Sequence, residues 1–298
     1  METLFFLLGF VCYLAGRYHT VNAKRWAWLA LASLCLLLSI GSKEIGYLLI
    51  PLLLIYEIAF NNQKWRAAIA EWLSPGRLIA TLGLTIVTTI FAVFIIWNLL
   101  EGRIYWSETI PDFDFTGYER TLTQGRIQFF CLSLFLWPAP SRLNLDHDFA
   151  VSTGLLAPPT TSITLAAGLI VLFWSIRNLQ SRPRIAFPIL GYLLLHSVES
   201  APLNLDLVFE HRMYQPMTML ALLFALNVDS LPQKYVKLSY VGLLLIGLAL
   251  SSTTYQRNET WSDPVRFLRD TAHKSPDKWR PQYNLGTELG RRGLLVEA

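Results

Sequence analysis

Ser42-Lys43-Glu44 places a charge pair between two apolar runs with almost no loop to hold it. Polar groups beside long apolar runs are costly and are functional candidates by default. An ammonium kept at a membrane surface binds phosphate as a point charge; the same residues also suit a turn whose lysine snorkels to water. Glu210-His211-Arg212, followed by Met213-Tyr214-Gln215-Pro216, sets acid, imidazole and guanidinium in succession at the start of another run. That set suits an anion site with a proton-transfer partner beside it. It equally suits a juxtamembrane ion pair, since three consecutive helical residues cannot all face one way. Asp146-His147-Asp148 brackets an imidazole with two carboxylates, a pattern for sugar hydroxyls or a hard divalent cation such as Mg2+ or Mn2+. A solvated loop with a capping aspartate is the alternative, and no metal or other cofactor is assigned. The acidic, aromatic loop 101–126 suits carbohydrate, peptide or an interfacial lid. Glu57, His196 and Glu199 lie within or at the ends of apolar runs, where a histidine is more often a satisfied core residue than a catalyst.

The elements that must position these groups are membrane spans. Apolar residues make up 53% of the 298 and charged residues 15%, against about 25% charged in a soluble domain; the mean hydropathy is +0.39. Apolar runs alternate with short polar stretches, and each crossing needs about 20 mostly apolar residues. Spans are expected at 3–16, 26–41, 45–60, 78–100, 160–177, 185–201, 213–230 and 236–254. A shorter piece, 127–138, is too brief to cross and reads as re-entrant or interfacial. Trp and Tyr gather at run edges, as interfacial aromatics do. The net charge of +4 is scattered over loops, which argues against nucleic acid. Cys12, Cys35 and Cys131 lie inside apolar runs, with neither disulfide nor metal spacing.

Basic residues orient the set. Arg17, Lys24 and Arg25, then Lys64, Arg66 and Arg77, then Arg177, Arg182 and Arg184, then Lys234 and Lys237 mark alternate loops as cytoplasmic. All four polar groups and the tail from Tyr255 fall on the other face. This order puts residue 1 outside with no positive region before the first run, unlike a secretory signal. The expectation is that earlier spans precede residue 1. From Trp279 the tail reads WRPQYNLGTELGRRGLLVEA, in which Leu285, Gly286, Leu289, Gly293 and Ala298 match small and apolar positions of a 34-residue tetratricopeptide repeat. Such arrays need about three repeats, so the chain reads as cut inside one. The expected fold class is all-α: a polytopic helix bundle over 1–254 and, over 255–298, a periplasmic linker with the start of a repeat region.

GSKE with IGYLLIPLLLIYEIAF, then LTQGRIQFFCLSLFLWPAPSRLNLDHDF, LLAPPTT, DLVFEHRMYQP and the RNETWSDPVRFLRDTAHKSPDKWRPQYNLG tail, in this order, resemble bacterial membrane proteins with periplasmic tetratricopeptide repeats. Those are similar to the transmembrane-and-tetratricopeptide O-mannosyltransferases of the GT-C glycosyltransferase superfamily. The resemblance implies a bacterial inner-membrane enzyme that moves a sugar from a polyprenyl-phosphate donor to a protein or peptide acceptor outside the cytoplasm. It places Lys43 and Arg212 near the donor phosphate, within about 10 Å of each other if they share it. It gives Glu44, Glu210, His211 and Tyr214 supporting roles, and leaves Asp146, His147 and Asp148 as loop candidates. The acidic base of such enzymes lies in an outer loop that here would precede Met1, so no catalytic residue is carried over. Two other functions stay open: a non-catalytic scaffold whose repeats bind proteins, and a transporter of a lipid-linked precursor. The latter would hold ionisable groups near mid-bilayer, whereas these stand at the outer boundary.

Overall fold

The computed structural model describes residues 1–61, 107, 109–110, 113–202, 205–228 and 232–294. Among these the chain is all-helical, with ten α-helices, two short 3-10 turns, two isolated β-bridges and no strand. The expected run 78–100 and residues 101–106, 108 and 111–112 of the 101–126 loop lie outside the described residues.

Among the described residues three helices are long and apolar enough to cross a membrane: Asn22–Ser42 (α2), Thr160–Asn178 (α5) and Lys234–Trp261. The last forms nearly all of α8 (Gln233–Trp261). Of their most apolar windows only 11%, 11% and 0% is buried by protein, which leaves their sides for lipid. The other apolar runs form shorter helices: α1 (Glu2–Tyr18), α3 (Leu49–Phe60), α6 (Pro183–His196) and α7 (Tyr214–Val228).

The chain divides into two compact units that interleave in sequence. One comprises Met1–Ile104, Ile170–Val198 and Tyr214–Leu223; the other comprises Tyr105–Leu169, Glu199–Met213 and Phe224–Ala298. In the first, α1 buries Glu2, Phe6, Gly9, Cys12 and Gly16. These recur every three or four residues, so they form one stripe. Facing them, α2 buries Ala32, Cys35 and Ser39. Small side chains let the two backbones close up, the usual way membrane helices associate. A Cβ at Gly9 would stand 2.8 Å from the Leu49 side chain, and one at Gly16 would stand 3.0 Å from Leu29. Two carboxylates inside this unit are paired. Glu57 Oε1 accepts from Tyr13 at 2.8 Å and from Arg17 Nε at 3.0 Å; Glu2 Oε1 accepts from Ser39 at 3.3 Å and Gln215 at 3.2 Å. After α2 the chain folds back through the 3-10 turn Glu44–Leu48. There a Cβ at Gly46 would lie 2.6 Å from the Ser39 carbonyl carbon and 2.7 Å from the Ile40 nitrogen. Both are backbone atoms that cannot move aside, so the turn needs glycine.

The second unit contains α4 (Gly117–Leu136), 20 residues long. The expected short piece 127–138 is therefore the C-terminal half of a longer helix. A capping box starts it: Thr116 Oγ1 accepts the Glu119 N–H, and the Glu119 carboxylate accepts the Thr116 N–H at 2.8 Å. Its first half is polar yet buried at Arg120, Thr123 and Gln124, and this hid the helix from a reading based on apolar runs. The tail forms two helices, α9 (Pro264–Lys274) and α10 (Trp279–Arg291). They are antiparallel, because Arg292 beyond α10 reaches Asp263, the N-cap of α9, at 2.9 Å. Gly293, at φ 74°, ends α10; the Leu294 N–H returns to Leu289 O at 3.0 Å and the Gly293 N–H to Gly290 O at 3.1 Å, a Schellman cap. No break separates the apolar part of α8 from the tail, since the helix runs unbroken past residue 254 to Trp261.

Candidate functional site

Polar side chains concentrate in the second unit, where the loop after α4, the 199–213 connection and the α9–α10 hairpin meet. Arg120 anchors them. It is fully buried and directs its guanidinium to four main-chain oxygens: Glu199 at 2.7 Å, Ala201 at 3.0 Å, Leu205 at 2.5 Å and Asp206 at 3.1 Å. Burial pulls its pKa down to about 10; the Glu199 carboxylate pushes the other way, Arg212 adds to the fall and Asp206 opposes it. The group stays charged at neutral pH, and its five donors suit a cluster of carbonyls as an ammonium would not.

These bonds explain why the run expected to extend to 201 stops being helical at His196. Residues 197–200 form a turn, and the oxygens of Glu199 and Ala201 face Arg120 instead of a next helical turn. The freed Glu199 side chain accepts from Arg212 Nη1 at 3.1 Å. Arg212 also lies over the Phe209 ring, 4.9 Å from its centroid.

Glu210 and Arg212, neighbours in the 3-10 turn Glu210–Met213, point to different partners. Glu210 Oε1 meets His147 Nε2 at 2.9 Å and accepts the Asn144 N–H at 2.6 Å. His147 is buried and packs edge-on against Phe130, with centroids 5.1 Å apart. A carboxylate on one imidazole nitrogen fixes the orientation of the ring. His211 is exposed and its ring sits 5.1 Å from that of Phe209. Tyr214 is 69% exposed.

Asp146 faces away from both of its expected companions. Its carboxylate takes Lys278 Nζ at 2.5 Å, with Arg280 at 3.7 Å. Its carbonyl accepts from Asn144 Nδ2 at 3.0 Å and from Ser275 Oγ at 2.5 Å. Lys274 Nζ adds bonds to Pro140 O and Leu143 O, both 2.9 Å, and Arg280 reaches Asp206 at 2.8 Å. Asp148 is exposed. The side chains of the Asp-His-Asp motif therefore do not converge on one point. Among the described residues no group of three His, Cys, Asp or Glu side chains could hold a metal ion. The motif works as a strap instead: Asp146 holds the hairpin while His147 holds Glu210.

Of the expected donor-phosphate residues, Arg212 belongs to this unit and Lys43 to the other. Lys43 closes α2 with extended backbone; its N–H donates to Ser39 O at 3.0 Å and its carbonyl accepts from Gly46 at 3.0 Å. Glu44 opens the following 3-10 turn. Sequence reading missed Arg120, Ser275 and Lys278, and named Glu199 only as a carboxylate at the end of an apolar run.

No family model matches the chain, and no curated protein or solved structure matches it.

Proposed function

We propose that the chain is part of a membrane glycosyltransferase of GT-C type, taking a sugar from a polyprenyl-phosphate donor and giving it to a protein or peptide acceptor. On this reading the bundle lies in a bacterial inner membrane, and the tail begins periplasmic tetratricopeptide repeats that recruit the acceptor. The observation that carries the proposal is the Arg120–Glu199–Arg212 group, two guanidinium ions beside one carboxylate, with Glu210 and His147 adjoining through the same 3-10 turn. In such a transfer the acceptor hydroxyl oxygen bonds to the anomeric carbon as the bond from that carbon to the phosphate oxygen breaks. The phosphate leaves with the electron pair and the hydroxyl proton passes to a base. A cation at the phosphate lowers the barrier by stabilising the charge that develops there. Arg212 is suited to that role by its fork of donors, and Lys43 keeps the role that the resemblance implies. Glu210, His211, Tyr214 and Glu44 keep supporting roles, and no base is assigned.

A second reading has its own observation. The hairpin is tied to the loop by Lys274, Ser275, Lys278 and Arg280, which suits a scaffold that holds tail helices in a set position for protein partners. Binding of polyprenyl monophosphate to the full chain in nanodiscs separates the two. The transferase reading expects R212Q to weaken binding about tenfold, the loss of one charge-assisted contact. Unchanged binding in R212Q would remove it and leave the scaffold.

A further inference from the structure

The guanidinium assigned to phosphate already holds an anion. Arg212 Nη1 donates to Glu199 Oε2 at 3.1 Å, and the two side chains are only 17% and 14% exposed. Phe209 covers one face of the guanidinium. No helix holds Glu199 in place, since α6 has ended at His196. Its main chain is fixed, through the 2.7 Å bond from Arg120 to its carbonyl, while its side chain sits on a turn and reaches Arg212 by rotatable bonds. Arg120 and Arg212 act on one another as like charges, and the Glu199 carboxylate acts on Arg120 with the opposite sign. Glu199 is thus the carboxylate paired with Arg212 in a mostly covered place, while Arg120 also feels Asp206. Taking Glu199 away with nothing in return leaves the Arg212 guanidinium without that counter-charge, which is costly.

A phosphodiester carries the same single negative charge as a carboxylate and accepts the same forked hydrogen bonds from guanidinium. We infer that Glu199 is a resident stand-in for a phosphate ligand of Arg212, swinging aside when the phosphate arrives and returning when it leaves. This rests on the transferase reading, which assigns Arg212 a phosphate. The exchange keeps the local charge constant while the phosphodiester donor is bound; the monoester left after transfer carries more negative charge. The exchange also weakens phosphate binding by the strength of the pair it displaces, so that a spent lipid phosphate is released instead of retained. The ligand chemistry is a lipid-borne phosphate, a diester in the donor and a monoester in the spent carrier.

The test measures binding to the full chain in nanodiscs, with polyprenyl monophosphate and, separately, inorganic phosphate as probes. Glu199→Gln should bind the polyprenyl monophosphate about fivefold tighter than the unaltered chain, the range of one partly exposed ion pair. Arg212→Gln should bind it more weakly, and adding Glu199→Gln to Arg212→Gln should bring no recovery. If Glu199→Gln binds no tighter while Arg212→Gln still weakens binding, the stand-in is overturned and the phosphate site survives. If Arg212→Gln has no effect, the phosphate assignment falls and this inference with it. Tightening for inorganic phosphate alone overturns the lipid-borne ligand. Should Glu199→Gln not fold, Glu199→Asp keeps the charge but withdraws it by one methylene. It should shift affinity in the same direction by a smaller factor, and no shift there overturns the proposal equally.

Discussion

Arg120 gives its guanidinium to main-chain oxygens although the Glu199 and Asp206 carboxylates lie close enough to influence its charge. A residue used this way shapes a loop instead of neutralising a partner. Arg120→Met would leave four carbonyls without their donor in a covered place, where each unsatisfied group costs about 1–3 kcal/mol. Some oxygens will find other donors as the turn relaxes, so the expected loss is about 3 kcal/mol, read as a lower unfolding midpoint of the purified chain. Arg120→Lys, with one nitrogen in place of three, should recover only part of it. A midpoint equal to that of the unaltered chain in both variants would show that the 199–206 turn stands without Arg120. Asp146, His147 and Asp148 read as a set because they are adjacent, yet their partners stand 63 residues away at Glu210 and 132 away at Lys278. Charge and spacing along a chain do not disclose contacts at that separation.

The tail hairpin is fastened by charge as much as by apolar contact. Asp270 receives Lys274 Nζ at 2.8 Å and the Arg257 guanidinium at 2.5 Å. Burial pushes its pKa up, but the hydrogen bonds and charges of Lys274 and Arg257 outweigh it and hold it below the ordinary 3.8. An acid with a depressed folded pKa contributes stability that is present above 3.8 and lost as pH falls through the lower value. The hairpin should therefore resist proteolysis at neutral pH and lose that resistance below pH 3.8. Asp270→Asn should be more easily cleaved already at pH 7 and show a smaller change on acidification. An identical pH course in the two forms would place the acid-sensitive contact elsewhere. At this scale the long apolar helices α2, α5 and α8 were legible, because length and hydropathy alone define a crossing. Helix α4 was not: its buried face carries Arg120, Thr123 and Gln124, polar residues whose burial makes sense only once the 199–207 carbonyls are beside them. Gly293, expected only as a small position of a repeat, ends α10 at a φ that glycine alone takes without strain.

Across the whole chain, the basic loops make a topological prediction. A reporter fused after Arg182 should be cytoplasmic and one fused after Ser262 should lie on the opposite side, read by activity of a compartment-dependent enzyme. The same compartment at both points would contradict the orientation on which the outer-face site depends. The two compact units interleave in sequence. A connection such as 199–213 joins a unit through contacts with residues eighty positions away, and no composition change marks that.

The unbroken course of α8 has a consequence for direction. Its 29 residues span about 43 Å at 1.5 Å each, against about 30 Å of hydrocarbon. The part that outlasts the bilayer is a stiff mast and not a tether, and Arg257 on that mast is the residue that grips Asp270. A helical mast sets azimuth together with height, because every residue turns its end by about 100°. Whatever α9 and α10 present is thus aimed at one compass bearing around the mast, and the bearing is written in the number of residues between the membrane surface and Trp261.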